Sequence, residues 1–296
     1  MAQMREIKKR IVAVGTIQRI TKTMQMIATA KFTAAAQRAK ATTPYTKTIR
    51  RLVAELADAA GEIEHPLLDG PPEPAGRELL LAITSDRGLC GAYNANVLRA
   101  AIHHLRALRD RGTAFDLETS GKKAVGFFKF QKIPISERHF LGDRPEYHEV
   151  ECLAARYIDD FTAGRYDAVR IAYVRFQSNT RQIPEVMQLL PLMPEQAAGT
   201  SRDDGHERPG QANYEFSPSE EELLASLLPL TVKAMLFQAV NDAVVSEQIM
   251  RMVAMKAATE NAKDLGKMLT RQYNRARQTQ ITTELSEIIG GTAALE

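Results

Sequence analysis

Two segments at opposite ends of this chain repeat apolar residues every three or four positions for about sixty residues each, and that pair constrains the fold more than any other feature. From Ala2 to Ala60 the side chains Ile7, Ile11, Val14, Ile17, Ile20, Met24 and Ile27 advance in steps of three and four, the period of one helix face. Ala28, Ala30, Ala34, Ala35, Ala36 and Ala39 follow, and alanine both favours helix and admits a close neighbour. Pro44 is the one break, and a kink is predicted there. At 1.5 Å per residue such a helix spans roughly 85–90 Å, more than a compact domain is wide.

The last segment mirrors the first. Ser217-Pro218-Ser219-Glu220 combines a capping serine, a proline at the first helical position and a glutamate three residues past the cap. After Pro229 no proline follows; the next glycine is Gly266, and Gly290-Gly291 is predicted to close the helix. Leu236, Val240, Ile249, Met252, Leu265, Leu269, Ile281, Leu285 and Ile288 supply apolar positions. Such stripes are hidden only against each other or against a partner, so residues 1–60 and 217–296 are expected to pair as an antiparallel coiled coil. The spacing is not a strict heptad, which predicts an irregular supercoil.

Between them the grammar changes. Leu79–Thr84 reads as a buried strand, Ala92–Arg109 as helix and Ala114–Thr119 as strand. Gly121–Gln131 reads as helix, Ile133–Glu137 as extended and Tyr147–Thr162 as helix, with further strands over Ala168–Phe176 and Val186–Leu190. Strand–helix alternation implies an open α/β sheet with right-handed crossovers. The expected fold class is therefore α/β: a Rossmann-like open α/β domain over residues 78–192, inserted between the two arms of a long coiled coil. Residues 193–216, rich in Gly, Asp, Pro and Arg, read as a loop or insert.

The remaining composition excludes more than it identifies. Cys90 and Cys152 stand far apart and form no CxxC pair, so reduced thiols are expected. The six histidines show no metal-ligand spacing; adjacent His103 and His104 point to different sides of a helix. No apolar run approaches the roughly 20 residues of a membrane helix, and the basic N-terminus lacks the apolar core of a secretory signal. Net charge is only +3, but it is unevenly spread. Twelve basic residues between Met1 and Arg51 face a single acid, Glu6. Such an arm seeks an acidic partner: nucleic acid, an anionic membrane or an acidic protein surface.

The strand–turn–helix at Leu79–Leu105 invites a phosphate-site reading, yet Asp86-Arg87-Gly88-Leu89-Cys90-Gly91 carries neither G-x-G-x-x-G nor G-x-x-x-x-G-K-[ST]. Asp86 would repel a phosphate, and Gly121-Lys122-Lys123 lacks the upstream glycine of a P-loop. A capped, glycine-mediated turn is the expectation. No nucleophile–base constellation or marked carboxylate pair stands out; Asp159-Asp160 and Glu220-Glu221-Glu222 sit at helix ends. No catalytic residue, metal or cofactor is expected. Two other readings compete: a nucleotide-binding α/β enzyme, marked by tight nucleotide binding, and a nucleic-acid-binding coiled-coil scaffold, marked by steep salt dependence. With 6% aromatic residues and no tryptophan, the second lacks a stacking platform.

Four stretches, IQRITKTMQMIATAKF (Ile17–Phe32), TSDRGLCGAYN (Thr84–Asn94), RMVAMKAATENA (Arg251–Ala262) and YNRARQTQITTELSEI (Tyr273–Ile288), together resemble the gamma subunit of F-type ATP synthases, in order and over essentially the whole chain. The insert around Gly199–Gly210 is the least family-like part, and no extra cysteine pair of the redox-regulated chloroplast form is found there. The resemblance implies a non-catalytic central-stalk rotor of a proton-translocating ATP synthase. Its coiled coil would stand in a ring of three alpha and three beta subunits, which hold the catalytic sites. Its α/β domain would meet the epsilon subunit and the c-ring. It implies no nucleic acid, membrane association only through the complex, and the cytoplasmic face of a bacterial inner membrane. The family-like helix starting at residue 2 adds to the bacterial expectation. Residue by residue, it marks Met24 (equally readable as a core methionine) as close to the beta subunit's lever, and Arg87 as reaching that lever. It marks Arg251, Gln278, Thr282 and Glu284 as positions that contact the beta subunits or support the N-terminal helix. The apolar tip Leu285, Ile288 and Ile289 would suit a low-friction sleeve, and the Ser85–Asn94 turn a rigid collar.

Overall fold

The computed structural model describes residues 2–60, 65–71, 74–192 and 220–293. The expected loop at 193–216 and the capping residues Ser217 and Pro218 lie outside them. The elements, in order, are α1 (Ala2–Ala60), α2 (Pro66–Asp69), β1 (Arg77–Ile83), α3 (Tyr93–Asp110), β2 (Ala114–Ser120), α4 (Lys122–Phe130), β3 (Glu137–His139), α5 (Tyr147–Thr162), β4 (Ala168–Phe176), β5 (Gln182–Leu190) and α6 (Glu220–Ala293). They form two compact units, Met1–Ala30 with Arg251–Glu296, and Lys31–Met250, so that α1 and α6 contribute to both.

In the larger unit a five-stranded sheet has the order β3-β2-β1-β4-β5. The pairs β1–β2, β1–β4 and β2–β3 are parallel, and β4–β5 is antiparallel. The order of the first four strands follows that of doubly wound dinucleotide-binding sheets. Successive side chains of β1 enter opposite cores, as the two-residue strand period requires. Leu79, Leu81 and Ile83 meet Val150, Tyr157 and Phe161 of α5 and Leu228, Val232, Leu236 and Val240 of α6. Leu80 and Ala82 meet Val97, Ala101 and Leu105 of α3 and Ala124 and Phe128 of α4. A strand buried on both faces reads as a continuous apolar run, which is why β1 was visible in sequence.

Helix α5 and strand β4 match the sequence-based bounds. Strand β5 begins four residues before the predicted Val186, because its outer half, Gln182 to Glu185, is only partly covered and contains Pro184, which reads against a strand. The extended segment expected at Ile133–Glu137 is a strand only from Glu137 to His139. The short α2 carried no periodic signal to find. α1 runs through Pro44 without ending. α6 does not close at Gly290-Gly291 but continues to Ala293; Gly290 keeps out of the left-handed backbone region that ends helices.

α6 also corrects the membrane expectation. It contains an 18-residue window of mean hydropathy 1.7, long and apolar enough to cross a membrane by length and composition, with half of that window buried inside the protein. The apolarity has a structural use, since Leu224, Leu228, Val232, Met235 and Leu236 are buried against the sheet's core.

Within the same unit α6 buries an acid. Asp242 is 8% exposed and accepts a 2.8 Å hydrogen bond from Gln238 Nε2, while Thr42 Oγ1 of α1 donates to Gln238 Oε1 at 3.2 Å. Burial, seconded by the Glu185 charge and opposed by the Gln238 hydrogen bond and Arg175, pushes the Asp242 carboxyl up to about 7. Tyr173 donates to Glu185 at 2.8 Å, and Arg175 stands 3.3 Å from Glu185. The folded pKa lies above the unfolded one, so between about pH 4 and 7 the folded chain holds a proton the unfolded chain has shed. Stability from this group is fully present below about pH 4 and is lost as pH rises through 7. Asp242→Asn is expected to flatten that decline and to stabilise the protein at pH 8 by roughly 2–4 kcal/mol, with little effect near pH 4. Chemical denaturation across this range checks it; an unchanged pH slope in the variant would contradict the assignment.

Candidate functional site

The turn that follows β1 is built by its own polar groups. Ser85 N–H donates to Asn94 Oδ1 at 3.0 Å, Asn94 Nδ2 donates to Ser85 Oγ at 2.8 Å and to Cys90 Sγ at 3.1 Å, and Ser85 Oγ donates to the Arg87 carbonyl at 2.6 Å. Leu89 takes a left-handed backbone, φ 64°, uncommon for a branched residue. Cys90 is buried and Leu89 is 59% exposed; Arg87 is also exposed. The turn is thus a locked knuckle presenting Arg87 and Leu89.

The expected cap is corrected. α3 starts at Tyr93, and its N-cap residue, Ala92, makes no side-chain cap. Asp86 instead caps α4: its Oδ1 accepts from Lys122 N at 3.0 Å, with Thr84 Oγ1 accepting from Ala124 N at 2.9 Å and the Ser85 carbonyl from Lys123 N at 3.2 Å. A helix N-terminus attracts anions through its orphan N–H groups and dipole. Here the first turn of α4 is satisfied by the chain's own oxygens, one of them a carboxylate.

The crevice beside the ends of β1 and β2, where doubly wound folds bind nucleotides, is occupied from the other side by α6. Between Thr84, Asp86, Ser120, Gly121 and Asp143 on one side and Val240, Ala243, Val244 and Glu247 on the other remains a cavity of about 20 Å³. That holds about one water molecule, whereas ligand pockets run from roughly 300 Å³ upward. Three carboxylates line it. At this crevice a nucleotide finds neither the space nor the charge it needs.

On the far edge of the sheet, Glu118, Glu137 and His139 bring three metal-type ligand atoms within 4.8 Å, a convergence that the histidine spacing did not reveal. Arg156 fills its centre: Nη2 donates to both Glu118 oxygens at 2.8 and 2.7 Å, and Nη1 to Glu137. Tyr157 OH donates to Glu118 at 2.6 Å and His139 Nε2 lies 2.7 Å from it. Burial raises the Glu118 carboxyl, but the His139 and Tyr157 hydrogen bonds and the Arg156 charge outweigh it and hold it below its ordinary value. With a guanidinium already between the carboxylates, the cluster pins the short β3 to α5.

The smaller unit is an antiparallel helical hairpin. Thr259 Oγ1 donates to Thr21 Oγ1 at 2.9 Å, and Gly266 faces Val14; seven residues along one helix match seven back along the other. The covered positions of α1 are Met4, Ile7, Ile11, Val14, Gln18, Thr21, Gln25 and Ala28, joined by Met24 at the edge. Those of α6 include Met252, Met255, Thr259, Ala262, Gly266, Leu269, Tyr273 and Ala276. Both sets alternate three and four without a slip, which is a strict heptad and overturns the expected irregular seam. Ile17, Ile20 and Ile27, counted in the stripe, are 51%, 53% and 53% exposed. Two neighbouring stripes had been merged, because polar Gln18, Thr21 and Gln25 concealed the true one.

The predicted contact residues fall outside this seam or at its margin. Met24 and Arg251 are half-covered, and Gln278, Thr282 and Glu284 are exposed. Thr282 Oγ1 donates to the Gln278 carbonyl and Gln280 Nε2 to Glu284. Residues 281–290 are exposed throughout, including Ile281, Leu285, Ile288 and Ile289 at 55–66%. The structure groups Met24 and Arg251 in the hairpin unit with Gln278, Thr282 and Glu284, while Arg87 belongs to the sheet unit. Sequence reasoning missed Asn94, the organiser of the knuckle, because an asparagine at a helix start reads as a cap.

A family model described as ATP synthase matches residues 3–295. The ATP synthase gamma chain of Rhodopirellula baltica is 41% identical over 297 residues, covering all of both chains. The chain belongs to the ATP synthase gamma chain family. Another gamma chain, from Ralstonia nicotianae, is 38% identical over the full length of both chains. Among solved structures, a chain of the Euglena gracilis mitochondrial ATP synthase, OSCP/F1/c-ring, matches with TM-score 0.67 at 19% identity, covering 99% of this chain and 95% of that one. A chain of the Tetrahymena thermophila mitochondrial ATP synthase central stalk and c-ring matches with TM-score 0.57 at 22% identity, covering 81% and 99%. These structures share the fold of this gamma chain relative.

Proposed function

We propose that this chain is the central-stalk rotor of a proton-translocating F-type ATP synthase, non-catalytic in itself. One copy would stand within three alpha and three beta subunits and meet the epsilon subunit and the c-ring. The observation that carries this reading is the hairpin unit. Its seam is complete without Ile17, Ile20, Ile27, Leu285 or Ile288, so these exposed apolar side chains call for cover from another protein. The family, and the chain named with OSCP, F1 and c-ring, supply the kind of protein that gives it.

Met24, Arg87, Arg251, Gln278, Thr282 and Glu284 are the proposed contacts to the ring. A single hairpin presents different faces to three equivalent subunits. Each angle therefore biases each beta subunit between conformations of different nucleotide affinity, and the coupling free energy is reciprocal. Proton flow that turns the rotor drives synthesis, and hydrolysis drives the reverse. The basic N-terminal arm meets acidic protein surface rather than nucleic acid. Membrane association comes through the complex, on the cytoplasmic face of a bacterial inner membrane. Mixing the chain with purified alpha and beta subunits tests this. One copy per hexamer and a changed ATPase rate are expected; no stoichiometric complex, or an ATPase rate indifferent to the chain, refutes it.

A further inference from the structure

Inside the sheet unit α6 is covered on every side over residues 239–249. A helix enclosed in this way is ordinarily apolar all round, yet this stretch holds two acids, Asp242 and Glu247, each 8% exposed. They face different ways: five residues apart, they stand about 140° from one another around the helix. Glu247 lines the small crevice cavity. Asp242 lies against β4, where the Phe176 backbone amide hydrogen-bonds its carboxyl.

Strands β4 and β5 bring three polar side chains to the same place. Tyr173 and Arg175 share one face of β4, and Glu185 stands opposite Tyr173 on β5. Tyr173 OH donates to Glu185 Oε1 at 2.8 Å, and Arg175 Nε lies 3.3 Å from Glu185 Oε2. That ion pair is poorly aligned: Arg175 Nε is buried and finds no acceptor in hydrogen-bonding geometry among the described residues. The charges that act on Asp242 are those of Glu185 and Arg175, and Tyr173 feels Asp242 in return. α1 reaches the group through uncharged Thr42 and Gln238, and Lys233 of α6 is turned to Glu151 of α5. Two carboxylates therefore compete for one guanidinium. With both ionised, the site holds an excess negative charge beside a helix closed to water, which burial penalises. One proton removes the excess. Asp242 takes it, since Glu185 already has the Tyr173 hydroxyl and Arg175, in keeping with a carboxyl pushed up to about 7.

We infer that Arg175 is a shared guanidinium that changes partner with the proton on Asp242, tying β5 to β4 in one state and α6 to the sheet in the other. With the proton in place Asp242 is neutral, and Arg175 holds Glu185 across the β4–β5 pair, the arrangement seen here. When the proton leaves for solvent, a full charge stands in the covered site and draws the under-bonded guanidinium to it. Glu185 then keeps only the Tyr173 hydroxyl. Arg175 has to swing between two neighbours that both lie on its own side of the sheet, so the strands keep their register. The hold of the sheet on α6, the helix that contributes to both units, thereby becomes sensitive to pH across neutrality. The inference goes beyond the rotor reading and does not rest on it.

The test uses the full chain. The Arg175 Nε–H resonance, assigned by its loss in Arg175→Lys, is followed by NMR from about pH 5 to 9, together with amide hydrogen exchange. In the parent the resonance is expected to move in a single titration centred at about 7. Exchange along β5, corrected for base catalysis, is expected to rise about tenfold relative to β1 on the alkaline side. Asp242→Asn holds the neutral state, so the resonance stays fixed and β5 stays protected throughout. Glu185→Gln removes the competing carboxylate, so Asp242 claims Arg175 and the midpoint moves to lower pH. A resonance that does not move in the parent, or a titration that persists in Asp242→Asn, overturns the inference. So does β5 exchange that follows β1 at every pH. If Asp242→Asn fails to fold, Glu185→Gln decides: a midpoint unmoved or raised overturns the exchange of partners. None of these outcomes touches the rotor reading, which assembly with alpha and beta subunits tests separately.

Discussion

Replacing Gly121 with alanine is expected to destabilise the protein by about 3–5 kcal/mol, lowering its melting temperature by on the order of 10 °C. Gly121 precedes α4 with φ +94°, and a Cβ there would stand 2.1 Å from the Thr84 carbonyl oxygen and 2.9 Å from Thr84 Oγ1. Both strain and collision apply. The colliding group is backbone directly after β1, a strand buried on both faces, and it cannot swing aside as a flexible side chain would. The same carbonyl end of β1 is held by Thr84 N donating to the Ser120 carbonyl at 2.8 Å, so relief would disturb both the β1–β2 ladder and the α4 cap. Gly126, inside α4 with open space around it, is the control: alanine there is expected to be neutral or stabilising by up to about 1 kcal/mol. Thermal unfolding followed by circular dichroism distinguishes the two. Equal melting temperatures for both variants would sink the argument from close approach.

Met24→Lys and Arg251→Ala are expected to weaken coupling more than assembly. Neither side chain belongs to the heptad seam, so the hairpin retains its packing. Each proposed contact is expected to contribute about 1–2 kcal/mol of shared free energy between rotor angle and nucleotide occupancy, or roughly thirtyfold in coupling at the upper end. The measurement assembles each variant with alpha and beta subunits in the membrane complex and compares ATP hydrolysis with proton pumping. Hydrolysis should persist while pumping per ATP falls. Unchanged pumping efficiency in both variants would remove Met24 and Arg251 from the contact set.

Much of the fold was legible because burial writes itself into period. β1, covered on both sides, appears as an apolar run from Leu79 to Ile83, β4 as one broken only by Arg170 and Arg175, and α5, covered on one side, as a helical repeat. Pro184 and its half-covered neighbours hid the start of β5, since a proline reads as a break and an edge strand need not be apolar. The hairpin shows the limit of periodicity more sharply. Two stripes lay side by side on α1, and hydropathy favoured Ile17, Ile20 and Ile27, whereas the seam took Gln18, Thr21 and Gln25. Small polar residues fit between closely approaching helices and satisfy one another, as Thr21 and Thr259 do, so apolarity alone picked the wrong face.

The candidate site divides in the same way. Family motifs in the sequence singled out Arg87, Met24 and the C-terminal polar residues, and the turn's failure to match a phosphate motif was visible in its glycines. By itself the sequence determined that this chain has two long helical arms around an alternating α/β middle, since each rests on local periodicity. Only the tertiary structure decided that Asp86 caps α4 rather than its own helix, that α6 fills the nucleotide crevice, and that Arg156 occupies the one three-ligand cluster among the described residues. Each of these depends on side chains from elements tens of residues apart meeting in space, and sequence period carries no information about that meeting.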